Sequence, residues 1–128
     1  MADRRHRPVI FLFLLVCLAF PARADWLQGN VATLQGLDKI TARISRLDVD
    51  VASPTRFGAL MITIHACTFK SPDEPPEHAA LMAINSVDHD GVVSAEPLFQ
   101  GWMFASSPAI SALEHPVYDI SVLSCRKE

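Results

Sequence analysis

Several groups of residues in this chain have types and spacings that could do chemistry. His65 and Cys67 are two apart on an extended stretch, which would put an imidazole and a sulfur on one strand face. With His115 or Cys125 they could complete a tetrahedral zinc or copper site, although His-x-Cys alone is a sparse pattern and disulfide pairing would consume both sulfurs. Ser106 and Ser107, followed by Glu114 and His115, invite a serine nucleophile with a base and an orienting acid. Glu114 and His115 are sequence neighbours, however, and neighbours in a helix or strand point apart. There is no Gly-x-Ser-x-Gly elbow, and Ser107 before Pro108 has a sufficient use as a helix cap. Asp88, Asp90 and Gly91 form a fragment of a calcium loop without its closing glutamate, and Asp90-Gly91 reads better as a hairpin turn. Asp73, Glu74 and Glu77 are interrupted by prolines and read as a solvated loop. No catalytic residue, metal ligand or cofactor is assigned. The alternative reading is a metal-binding or hydrolytic enzyme using His65, Cys67, His115 and Ser106. It requires free thiols and side chains that converge in one pocket.

The run from Phe99 to Cys125 is the densest in aromatic, proline and small residues. Trp102, Met103, Phe104, Pro108, His115 and Tyr118 are its candidate interaction surface. Strand alternation places Trp102 and Phe104 on one face and Met103 on the other. Most of the aromatic group is expected in the core, and whichever face is left out would be an apolar patch of the kind that marks binding.

The elements that must position these residues are mostly short strands. Asp25 to Gly36 reads as an extended, partly loose lead-in. From Leu37 to Val51 alternation runs through Ile40, Ala42 and Ile44, slips by one at Ser45-Arg46, and resumes with Leu47, Val49 and Val51. Either a β-bulge or a short turn between two strands restores the inward face. Arg56 to Phe69 is the strongest strand, with Leu60, Ile62, Ile64 and Ala66 on one face and Met61, Thr63, His65 and Cys67 on the other. Lys70 to Glu77 is a proline-rich acidic loop barred from a sheet interior. Ala79 to Val87 is apolar, a strand with helix possible, and Val92-Val93 and Pro97 to Phe104 resume strand character. A short helix is expected near 108–114, stopped before Pro116, and Val117 to Leu123 is the last strand. The fold class that follows is mostly β: a small antiparallel sandwich or partly open barrel with one short helix.

Arg4, Arg5 and Arg7, the apolar run Val9 to Phe20 and Ala22-Arg23-Ala24 have the layout of a signal peptide cleaved before Asp25. Its apolar run falls short of the roughly 20 residues that span a bilayer, and an uncleaved anchor is the alternative. Residues 1–24 are then a signal peptide, 25–36 the lead-in and 37–128 a single β-rich domain with no integral span. Cleavage removes four of the 11 basic residues and one of the 14 acidic ones, leaving a net charge of −6. An acidic body without a basic cluster argues against nucleic acid. Cleavage also removes Cys17, so Cys67 and Cys125 remain as an even pair in an oxidising compartment and are expected to bond. Closing a loop of that length removes about 4 kcal/mol of unfolded-chain entropy.

Gly101-Trp-Met-Phe-Ala-Ser-Ser-Pro108, then Glu114-His-Pro-Val-Tyr-Asp119 and Cys125, resemble the signature of the DUF2155 family. Leu37-Asp-Lys-Ile-Thr-Ala-Arg43, Arg56-Phe-Gly and Ala66-Cys67 also fit, so the resemblance covers Leu37 to Cys125. It implies an exported, periplasmic protein and no activity. The functional expectation is a non-enzymatic binding or accessory module whose partner is another envelope protein.

Overall fold

The computed structural model describes residues 25–128, so the expected signal segment and Cys17 lie outside the described residues. From Asp25 the chain enters a sheet at once. Strands β1 (Trp26–Gly29) and β2 (Val31–Asp38) are nearly continuous, yet they belong to different sheets and change over at Asn30. The segment expected as a loose lead-in is therefore structural, because Val31, Ala32 and Leu34 are fully buried.

Seven more strands follow: β3 (Arg43–Asp50), β4 (Thr55–Phe57), β5 (Leu60–Lys70), β6 (His78–Ser86), β7 (Phe99–Phe104), β8 (Leu113–Glu114) and β9 (Tyr118–Arg126). One sheet has the order β1-β5-β6-β7, with β4 paired to the far end of β5, and the other has the order β3-β2-β9-β8. All the ladders are antiparallel. The expected mostly-β sandwich is what forms. Strand β9 lies across the first sheet, packing on β5 and β6 and reaching β1 and β7, and corners such as Asn30 let strands pass between sheets.

The core between the sheets is built from Leu34, Val49, Leu60, Ile62, Ile64, Met82, Ile84, Met103, Ile120 and Val122. Each such side chain contributes about 1.5–3 kcal/mol on burial. Two bulges decide what else reaches this core. In β5 the register with β6 shifts at His65, which becomes the unpaired extra residue and is exposed. Cys67 therefore turns inward, three residues after Ile64, and does not share the face of Met61 and Thr63 as unbroken alternation would have it. In β9 the register with β2 skips Leu123, so Cys125 faces inward three residues after Val122. The two sulfurs meet between the sheets in a disulfide with Cα atoms 5.6 Å apart.

Other expectations are corrected at the ends of elements. The slip near Ser45-Arg46 is resolved by a turn placed earlier. Asp38 Oδ1 accepts the N–H groups of Ile40 and Thr41 at 2.9 and 3.2 Å, Ala42 sits at φ +55°, and Ile40 and Ile44 are exposed. The helix, α1 (Pro108–Ser111), ends before Ala112, and Leu113 and Glu114 pair with Ile120 and Asp119 as β8. Edge pairing takes those residues from the helix. Asp88 Oδ1 closes the Asp88–Val92 turn by accepting the N–H of Asp90 and Val92, but beyond the bridge from Val87 to Val93 no strand resumes until Phe99.

Candidate functional site

The outer faces of the two sheets differ in chemistry. On the β9 sheet, Thr33 and Arg126 both bond to Asp48, joining β2, β9 and β3 through a polar surface network. The Arg126 guanidinium, helped by the Thr33 hydroxyl, holds the Asp48 carboxyl below its usual range. The β5 sheet instead turns aromatic rings outward. Trp102 and Phe104 project from β7 opposite Leu81 and Ala79 of β6. Ala79 lies opposite Thr68 of β5, and Thr68 opposite Gln28 of β1, next to Trp26 on the same face.

These strands leave a groove of about 350 Å³, lined by Trp26, Thr68, Ala79, Trp102 and Phe104. Its floor is closed: Ala79 is buried, and Thr68 turns its hydroxyl to Ala79 O at 3.4 Å. Its walls are open, with Trp26, Trp102 and Phe104 exposed to 38%, 43% and 39%. Lys70 Nζ stands 4.4 Å over the Trp26 ring and 3.5 Å from Glu74, so one wall carries a cation–π contact at its rim. Across the hairpin from Lys70, Glu77 clamps the connection after β7: its carboxylate accepts Ser106 Oγ–H, Ser106 N–H at 3.2 Å and His78 N–H at 2.9 Å. Burial pushes the Glu77 carboxyl up, but these hydrogen bonds outweigh it and hold the group below its usual range. His78 in turn accepts Cys125 N–H on Nδ1 at 2.9 Å and stacks on Phe69, tying the start of β6 to the disulfide.

The structure divides the expected surface residues among four places. Trp102 and Phe104 line the groove. Met103, with only 1% exposed, is a core residue, so the expectation that most of the group packs inside holds for Met103 and fails for the two rings. Pro108 borders a separate polar hollow with Glu114 and Asp119. His115 stacks on Tyr118, whose ring lies edge-on to Phe57 and whose hydroxyl accepts Ala59 N–H at 3.3 Å. The residues of the alternative reading are not brought together. His65 is exposed at the β5 bulge, Cys67 is in the disulfide, Ser106 is bonded to Glu77, and His115 lies in the turn before β9. Among the described residues, no three His, Cys, Asp or Glu side chains gather as a metal site. Sequence reasoning missed Trp26, Thr68 and Ala79. The available signal was Trp26 itself, a large ring in a segment otherwise read as loose.

Residues 32–125 match the family profile described as an uncharacterised protein conserved in bacteria, DUF2155. The chain belongs to the DUF2155 family. An uncharacterised protein of Rickettsia prowazekii is 33% identical over 91 residues, which is 70% of this chain and 56% of that relative. The chain thus spans little more than half of that relative's length. No solved structure matches. The DUF2155 match contains the disulfide and four of the groove residues, and Trp26 lies just outside it.

Proposed function

We propose that this chain is a periplasmic, non-enzymatic binding or accessory module of the cell envelope, stapled by its disulfide. Its groove receives an apolar part of another envelope protein. One observation carries the reading: three aromatic rings stand half-exposed around an apolar hollow on the outside of a sheet whose inside is fully packed. Such rings forfeit in the monomer part of the roughly 1.5–3 kcal/mol each that full burial gives. A partner that covers them recovers it, which is why Trp and Tyr dominate interface energetics. The signal-like residues 1–24 and a disulfide, which persists in oxidising compartments, support the placement in the periplasm.

Photo-crosslinking in cells tests this. A benzophenone amino acid replacing Trp102 is expected to give a discrete adduct, while one replacing Ile44, exposed on the other sheet, gives none. Equal labelling at both positions, or none at either, overturns the reading.

A further inference from the structure

The groove is bordered by an unpaired strand. In its register with β6, β7 directs the main chain of Phe99, Gly101 and Met103 into the sheet, and Ala105 N–H continues the pattern by donating to His78 O at 2.9 Å. The main-chain groups of Gln100, Trp102 and Phe104 therefore point away from β6. Ser111 Oγ accepts Phe104 N–H at 2.9 Å. Gln100 and Trp102 have no strand beside them, because β7 is last in its sheet. Natural edges are usually blunted by charge, proline or bulges. Phe99-Gln-Gly-Trp-Met-Phe104 has no charge and no proline, and its pairing with β6 is unbroken.

The loops around this edge are acidic, with Lys70 at the groove rim as their cation. No Lys or Arg occurs from Ser71 to Cys125. The loop at one end of β7's neighbour holds Asp73, Glu74 and Glu77, of which Glu74 is met by Lys70. The loop leading into β7 holds Asp88, Asp90 and Glu96. A partner segment lying along β7 thus runs between two acidic loops.

We propose that β7 is a strand-addition site for an extended, basic-flanked segment of the partner. The segment is apolar at alternate positions and carries Lys or Arg at its ends. Its main chain bonds to Gln100 and Trp102, its outward apolar side chains pack on the free sides of Trp102 and Phe104, and its cations meet the acidic loops. This rests on the groove reading and adds the mode and the chemistry of the occupant.

The test pans a phage-displayed random peptide library over the oxidised protein, with a Trp102→Ala/Phe104→Ala variant as counter-selection. Enrichment of sequences with alternating apolar residues and terminal Lys or Arg is expected, with affinity falling as salt rises. Gln100→Pro removes one edge donor and no groove ring, and is expected to weaken a selected peptide roughly tenfold. Slowed amide exchange at Gln100 and Trp102 in the unsubstituted protein on peptide addition gives the same information if that variant fails to fold. Peptides that need the rings but have helical spacing, lack basic residues, or leave both amides unprotected overturn strand addition while the groove stands. Peptides that bind the double variant equally well, or no enrichment at all, overturn both.

Discussion

At the scale of single residues, the structure separates side chains that hold the fold from those that face outward without a partner. Trp102→Ala and Phe104→Ala remove half-exposed rings and should cost less than about 1 kcal/mol in urea unfolding while weakening capture of a selected peptide, whereas Met103→Ala should cost about 2–5 kcal/mol. Gly58 lies at φ +55° with the Tyr118 hydroxyl where a β-carbon would go. Gly58→Ala should therefore cost about 2–4 kcal/mol, combining left-handed strain with overpacking, measured by the same unfolding. Glu77 has a second, pH-dependent signature. Because its carboxyl is held low when folded, its stabilisation is complete above the unfolded value of about 4.3 and is lost as pH falls through the folded value. Thermal scans should find Glu77→Gln less stable than the native chain at pH 7, with the difference shrinking as pH falls below the usual carboxylate range.

At the scale of elements, both cysteines depend on bulges. Alternation alone would turn Cys67 away from Leu60, Ile62 and Ile64, and would turn Cys125 away from Ile120 and Val122. The extra residues His65 and Leu123 reverse both. Deleting His65 should leave two free thiols, counted by alkylation and mass spectrometry. A deletion protein that still loses two hydrogens on oxidation would show that the bulge is dispensable. Much of the strand framework was readable beforehand, since the inward positions Leu60, Ile62, Ile64, Ala80, Met82 and Ile84 follow from period two. The bulges were not, because Leu-Met-Ile-Thr-Ile-His-Ala-Cys alternates without interruption and the shift is imposed by the neighbouring strand. The disulfide was expected from cysteine count, and its odd spacing from Ile64 and Val122 was the signal that a bulge must intervene. The groove was only half visible: alternation put Trp102 and Phe104 on one face, but which face meets the core is settled by Met103 packing among distant strands. Trp26 could not be assigned, because β1 takes its place only through pairing with Cys67–Lys70.

At the scale of the whole molecule, the disulfide joins β5 of one sheet to β9 of the other across a separation of 58 residues. Its loss should lower stability by about 2–5 kcal/mol, read as a shift in the urea midpoint of a Cys67→Ala/Cys125→Ala variant. With Cys67 and Cys125 exposed by only 1% and 3%, the bond should resist reductant until the domain opens. The position of β9 has one more consequence, which concerns timing. This strand sits between β2 and β8 and crosses the other sheet, yet it is the last of the nine to be synthesised. As the chain grows, β2 and β3 can form only a lone hairpin, which is marginal in water, and Cys67 waits unpaired. The second sheet cannot close until the ribosome has passed Arg126. The arrival of β9 completes the second sheet and brings Cys125 to Cys67, so closure of that sheet and covalent stapling coincide, after every other strand has been made.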